Sequence, residues 1–323
     1  MFIPLLLAPM AELSHRGLRE LIEIFGGCDE YFTEMISATA LLSGGMFEKW
    51  YIDPLPYPKK LVYQLLGSDI DVLAKAVNLL DKYDCAGIDI NMGCSAPLIT
   101  KCGAGVKLMA DIHKSGELIR ELRRQTQKRL SVKLRIGFED NFEYLVNFCK
   151  RLENEGVDCI TLHPRTAKEK FKRSPRWEYV GFLRSNLTIP VIGNGDISSA
   201  EEILSRSKEN CDGIMVGRLG VRAPWIFCKT RQMEKNEKWD SSSINLEEIA
   251  LIFLDLLSKY QPQEFHLSRA RLFFAYFCDN FTWGTYLKTL INRETSISAI
   301  ANVLKAYFKE HPEERKEKSI RQI

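Results

Sequence analysis

Cys94 closes the run Gly87-Ile88-Asp89-Ile90-Asn91-Met92-Gly93-Cys94, and this thiol is the chain's first candidate for catalysis. The run opens as a short apolar segment of the kind that forms one strand of a parallel sheet, and it breaks at Gly93. The break sets Cys94 at the strand's carboxyl end, where proteins built on parallel strands carry their chemistry. The same position after other apolar runs holds Ala8-Pro9-Met10, Glu34, Gln64, Asn91, Lys133 with Arg135, His163 with Arg165, Asn194-Gly195-Asp196, and Gly217-Arg218. One such residue alone reads as a core histidine or a surface lysine; gathered at one rim, they read as a site. Glycines 193, 195 and 217 follow the last two runs, where barrels bind phosphate through backbone N–H groups, and Arg218 would add a bidentate charge.

The elements that must position these residues are legible as alternation. Apolar runs at 2–7, 31–35, 61–65, 87–91, 130–136, 159–163, 189–193 and 213–217 are each followed by a turn and a stretch of helical period. Residues 69–83 repeat apolar side chains at three- and four-residue steps, 141–155 carry Asn141 as a cap and Gly156 as a stop, and 198–205 follow suit. Eight strand-helix units match a (β/α)8 TIM barrel better than an open doubly wound sheet. The polar stretch 234–243 reads as a linker. Beyond it, 246–260, 264–278, 283–291 and 296–309 carry apolar helical stripes, and 311–323 mix charges and should fray. The expected organisation is therefore a barrel over residues 1–235 and a small all-helical C-terminal domain over 244–323.

At 323 residues, 45% hydrophobic and 27% charged, the chain has the composition of a soluble globular protein. A net charge of +3 favours no partner, so any polyanion must be met by local clustering. Nine cysteines without a C-x-x-C pair argue against a disulfide framework and for a reducing, cytoplasmic compartment. The amino terminus reads as a first strand rather than a signal peptide, and no apolar run is long enough to span a membrane.

A set of motifs then narrows the reading. Ala8-Pro9-Met10, Gln64-Leu65-Leu66-Gly67, Asp89-Ile90-Asn91-Met92-Gly93-Cys94, Val132-Lys133-Leu134-Arg135-Ile136-Gly137, His163-Pro164-Arg165-Thr166, Gly193-Asn194-Gly195-Asp196-Ile197, Met215-Val216-Gly217-Arg218 and Ala223-Pro224-Trp225-Ile226-Phe227 resemble, in order and spacing, motifs of the tRNA-dihydrouridine synthases. The tail around Arg269, Arg271, Ile291-Asn292-Arg293 and Ser296 resembles that family's helical domain.

The resemblance implies an FMN enzyme that reduces the C5–C6 double bond of particular uridines in tRNA with NADPH or NADH. By similarity Cys94 falls on the catalytic acid, and Pro9, Met10, Gln64, Lys133, His163, Asn194, Gly195, Asp196, Gly217 and Arg218 fall on flavin-binding positions. An unperturbed thiol, with a pKa of about 8.5, is mostly protonated at neutral pH and so suits an acid. A positive Lys133 suits the charge of a reduced flavin. Asn91, with both donor and acceptor, suits either the imide edge of the base or the fixing of its own loop. Two departures stand out. Ser95-Ala96 intervene between the cysteine and Pro97, so the loop presenting Cys94 should run differently, and Pro164 removes an N–H donor beside His163.

A macromolecular polyanion should leave an electrostatic trace. Between Arg165 and Arg176 there are six basic residues, Arg165, Lys168, Lys170, Lys172, Arg173 and Arg176, against the single acid Glu169. With Arg135, the residues Arg165, Lys170, Lys172 and Arg173 are the expected tRNA contacts, the run overhanging the rim after the sixth strand. No protein partner, membrane or metal is implied. The competing readings are an FMN barrel acting on a free pyrimidine or enone, a lyase with a Schiff base at Lys133, and a non-catalytic RNA-binding protein.

Overall fold

The computed structural model describes residues 3–317. Among these residues there are nine parallel strands, β1 (Leu5–Leu7), β2 (Glu30–Phe32), β3 (Ile36–Ser37), β4 (Leu61–Leu66), β5 (Gly87–Met92), β6 (Arg129–Gly137), β7 (Cys159–Thr166), β8 (Val191–Asn194) and β9 (Gly213–Val216). Eight of them close into a ring, because β1 pairs with both β2 and β9 while β2 also pairs with β4. The two-residue β3 only extends the carboxyl end of β4. With helices between the strands, the expected (β/α)8 barrel is present, followed by a helical C-terminal region.

Strand alternation sorts the residues. In β5, Ile88, Ile90 and Met92 are fully buried in the main core between the strands and the helices, and Asp89 and Asn91 take the opposite face. The register sets Gln64 beside Asp89, Asp89 beside Ser131, and Asn91 beside Lys133, so neighbouring strands stack their polar residues in layers inside the barrel. A small separate cluster of Leu6, Ala8, Phe32, Val62, Cys159, Ile192 and Met215 completes the interior.

The helices start where side chains cap them. Asp69 accepts from Val72 N at 3.0 Å ahead of Ile70–Asp81, Asn141 from Tyr144 N at 2.9 Å ahead of Phe142–Asn154, and Ser199 from Glu202 N at 3.2 Å ahead of Ala200–Arg206. The C-terminal helices Leu246–Tyr260, His266–Phe277, Gly284–Arg293 and Ile297–Glu310 enclose an aromatic core in which Phe253 and Phe273 stack. Helix Arg16–Ile24 of the barrel packs along Leu246–Tyr260, and one continuous hydrophobic core runs through both regions.

The charged tail is a correction. His311 to Glu317 do not fray: Pro312–Arg315 form a turn of 3-10 helix, Lys316 bridges to Asn245, and the Glu317 carboxylate accepts from Trp225 Nε1 at 3.1 Å, Lys229 Nζ at 2.9 Å and Trp239 Nε1 at 2.6 Å. Three donors from the barrel's last helix and the 234–243 segment make this acid an anchor, a role its charged context in the sequence conceals. Residues 318–323 and the Met1-Phe2 start of the first expected strand lie outside the described residues. Among the described residues no helix is long and apolar enough to cross a membrane.

Candidate active site

A cavity of about 570 Å³ opens at the carboxyl ends of the strands. Its lining includes Pro9, Met10, Asn91, Cys94, Lys133, Arg135, His163, Lys170, Asn194, Gly195, Asp196, Gly217 and Arg218, all of them expected site residues. Ala8, Met35, Ile197 and Met215 give it apolar walls, and Leu272 and Tyr276 reach it from the helix His266–Phe277. The volume lies within the ~300–1,000 Å³ of ordinary small-molecule sites.

Cys94 sits on a loop held from below. Asn91 Oδ1 accepts from Gly93 N at 3.2 Å and from Cys94 N at 2.9 Å, while Asn91 Nδ2 donates to Gln64 Oε1 at 2.9 Å. Of the two roles open to Asn91, this geometry builds the second, the fixing of its own loop. Past the thiol, Ala96 precedes a short helix, Pro97–Lys101, so Ser95-Ala96 serve as the lead into that helix. Gly105 lies against the loop, where a Cβ would stand 2.4 Å from the Cys94 carbonyl oxygen. Cys102 is exposed and outside the cavity lining.

Gln64 is not in the lining. It is fully buried one layer down, with Nε2 donating to Asp89 Oδ2 at 2.7 Å. Burial raises the Asp89 carboxyl to about 6, opposed by the hydrogen bonds from Ser131 and Gln64 and by the charge of Lys133.

The cavity is rich in cations. Lys133 Nζ donates to Asn194 Oδ1 at 2.9 Å, and Asn194 is oriented by its own Nδ2 donating to Met215 O at 2.8 Å. Burial, reinforced by Arg135, lowers Lys133 to about 8. Asp89, whose charge opposes that shift, already takes Ser131 Oγ on one oxygen and Gln64 on the other. Arg135 clamps the rim by donating to Gly93 O at 3.1 Å and Lys170 O at 3.0 Å. His163 is held far below its ordinary pKa by burial and by Lys133, Arg135, Arg165 and Arg218, so its ring is neutral. Its Nε2 lies 3.2 Å from Arg165 Nη1, and because a guanidinium only donates, Nε2 accepts and the ring proton is on Nδ1.

Asp196, in a left-handed backbone conformation (φ 47°), receives both Arg165 and Arg218, the latter at 2.8 Å. Its carboxylate is thus committed to two guanidiniums, and it serves the site by placing Arg218. Gly195 (φ 131°) tolerates no Cβ, which would stand 2.9 Å from His163. At Gly217 a Cβ would stand in the mouth of the cavity, 3.9 Å from both Ala8 and Met10. Side-chain-free backbone beside Arg218, a lysine with one neutral partner, and apolar walls form a donor set that fits FMN, a flat apolar ring system joined to a phosphate.

The basic run does not present six free charges. Arg165 is 1% exposed and spends itself on Asp196 and the Arg173 carbonyl, so it cannot reach tRNA phosphate. Arg176 is bound by Glu169 and Asp140. Lys172 and Arg173 are exposed but outside the cavity, and Lys170 touches its rim. Pro164 falls where the register of β7 shifts between Arg135 and Gly137 of β6, so the N–H it lacks lies at an irregularity of the pairing, a position where sheets accommodate proline.

Sequence reading missed Phe171, a 62% exposed residue of the cavity lining whose ring has the guanidiniums of Arg135 and Arg218 at 5.6 Å and 5.1 Å. An aromatic inside a basic run was the available signal. Tyr276 and Leu272 left none, since their placement depends on how the C-terminal helices dock.

Compared with known proteins, the chain matches the family model "Dihydrouridine synthase (Dus)" over residues 6–314. It is 31% identical over 277 residues to a "Probable tRNA-dihydrouridine synthase" of Aquifex aeolicus, covering 80% of this chain and 81% of that protein. It is 27% identical over 294 residues to a "Probable tRNA-dihydrouridine synthase 1" of Synechocystis sp., covering 90% and 82%. A "tRNA-dihydrouridine(16) synthase" of Neisseria meningitidis is 28% identical over 239 residues, covering 71% and 72%.

Proposed function

The chain belongs to the dihydrouridine synthase family, and we propose on that premise that it reduces the C5–C6 double bond of particular tRNA uridines to 5,6-dihydrouridine, with bound FMN, with NADPH or NADH as reductant, and with Cys94 as proton donor. When bound, the reduced flavin supplies the hydride equivalent. The observation that carries the proposal is the meeting of a loop-mounted thiol with Lys133, Arg135, Arg218 and a neutral His163 in one cavity.

The chain's own residues divide the remaining work. Gly195, Gly217 and Arg218 would hold the phosphate, Lys133 and the neutral His163 would face the polar part of the ring system, and Pro9, Met10 and Met215 would wall it. A stacked uridine must leave its stack to reach this depth. Cys94, held through its backbone N–H by Asn91, would give its Sγ proton to C5 of the pyrimidine. Residues 244–323 and the exposed Lys170, Lys172 and Arg173 would take up tRNA, whose backbone they meet by charge. An enzyme of this kind would meet its tRNA in the cytoplasm.

The test is direct. The purified protein, loaded with FMN, should show flavin absorption near ~370 and ~450 nm, and with NADPH should add one H2 to a uridine of unmodified tRNA, read by mass spectrometry of nuclease fragments. A protein that binds FMN yet reduces only free pyrimidines would replace this reading.

A further inference from the structure

The hydrogen-bond chain beneath Cys94 has a direction. At its upper end stand two groups that can only donate, Gly93 N–H and Cys94 N–H, so Asn91 must turn its oxygen up and its Nδ2 down. Nδ2 meets Gln64 Oε1 at 2.9 Å, which forces Gln64 Nε2 towards Asp89, whose Oδ2 accepts at 2.7 Å. Asp89 cannot rotate freely, since its Oδ1 takes Ser131 Oγ at 2.7 Å. Gln64 and Asp89 are fully buried and Asn91 nearly so. With these side-chain partners each amide has one satisfied orientation.

We infer that Asp89 is a positioning residue for the proton donor: acting through Gln64 and Asn91, it fixes the orientation of two buried amides and thereby the height of the Cys94 loop over the cavity. The inference rests on Cys94 being the donor, as proposed above. Asp89 touches neither cofactor nor substrate, since it is absent from the cavity lining.

Polarity makes the relay testable by reversal. In Asn91→Asp, one oxygen still accepts from Cys94 N–H, but the other faces Gln64 Oε1, acceptor against acceptor. If Gln64 flips to relieve this, its oxygen meets Asp89 and the conflict moves down one step. Adding Asp89→Asn resolves it: the new amide donates to Gln64 Oε1, Gln64 donates to the new carboxylate, and the Ser131 hydroxyl still finds an acceptor.

Three proteins are compared: the parent, Asn91→Asp, and Asn91→Asp with Asp89→Asn. For each, the rate at which tRNA reoxidises the NADPH-reduced enzyme in a single turnover is taken per bound flavin, and Tm is taken on the cofactor-free protein. Asn91→Asp should be slower by about ten-fold or more, with a lowered Tm. The exchanged pair should recover Tm to near the parent and regain much of the lost rate, the remainder being the charge it leaves at the cavity wall. A double variant no faster and no more stable than Asn91→Asp overturns the relay. A parent whose reduced flavin is not reoxidised by tRNA overturns the functional reading instead, and the Tm comparison still decides whether the three side chains act as one directed chain.

Discussion

Arg269 and Glu34 meet at 2.6 Å in an ion pair with side-chain exposures of only 2% and 4%, which ties the C-terminal helices to the barrel rim. Glu34 also accepts from Glu12 N at 2.6 Å, in the loop that carries Pro9 and Met10 into the cavity. Burial pushes the Glu34 carboxyl up in pKa, and Arg269 draws it back. Arg269→Met would strand a buried carboxylate, at a cost of about 3–5 kcal/mol. Because one hydrophobic core spans both regions, calorimetry should show this variant melting at lower temperature in a single transition; two separated transitions would mean the regions fold apart.

Arg218 is the half-exposed member of the pair held by Asp196. Removing it as Arg218→Ala should weaken FMN binding by about 1–3 kcal/mol, the range for deleting one charge-assisted hydrogen bond. Fluorescence titration of the cofactor-free protein reads this directly, and equal affinity would move the phosphate elsewhere on the rim.

The barrel was legible because its strands are apolar runs bounded by turns, and its helices because Asp69, Asn141 and Ser199 cap them where the period begins. Strand ends also located the cavity, since register brings together the residues just past each apolar run. The parts that stayed hidden depend on pairing across distance. Glu34 and Arg269 are 235 positions apart, and the acids that neutralise Arg165 and Arg176 include Asp196 and Asp140 from other loops. Asp89 read as one strand residue among others because its function lies in the orientation it imposes on Gln64.

The basic loop should therefore be probed at its exposed charges, Lys172 and Arg173, the latter paired only at 3.9 Å with Glu169. Lys172→Glu with Arg173→Glu should raise KM for tRNA and flatten the dependence of log KM on log salt by about 0.7–0.9 for each phosphate no longer neutralised. NADPH oxidation with a small electron acceptor should stay at the parental rate. An unaltered salt slope would return Lys172 and Arg173 to an ordinary solvated surface.

Lys133 predicts a proton uptake. Burial first, then Arg135, bring its pKa down to about 8, so near pH 9 the cofactor-free protein holds it mostly neutral. Hydrogen-bond acceptors on the polar part of a bound flavin ring favour the charged form of Lys133 and raise that pKa, so binding should draw a fraction of a proton from solvent between about pH 8 and 10. The linked affinity must then fall as pH rises through this window. Titration calorimetry at pH ~9 in two buffers of different ionisation enthalpy should give different apparent enthalpies for the parent, and a smaller difference for Lys133→Met. Matching enthalpies in the parent would show that the ammonium does not answer the bound cofactor.

Cys94 and Cys102 are the two thiols close enough in sequence to compete as proton donor, and the structure sets them apart. Cys94 lines the cavity on a loop whose N–H is held by Asn91, whereas Cys102 is exposed at the end of the helix Pro97–Lys101, its carbonyl accepting from Ser68 Oγ at 2.6 Å. Cys94→Ala removes a proton donor without touching the groups that would bind FMN, so flavin content and reduction by NADPH should match the parent. The step that needs the proton should not: reoxidation of the reduced enzyme by tRNA should slow by about 10² to 10⁴, the scale of a missing general acid. Cys102→Ala should keep near-parental turnover. Single-turnover absorbance of the flavin separates the steps, reduction being followed with NADPH alone and reoxidation by adding tRNA to the reduced enzyme without oxygen. A large loss at Cys102 with a small one at Cys94 would transfer the proton to the other thiol. Equal small losses at both would mean that solvent delivers it, and that the loop over Asn91 holds the base rather than the acid.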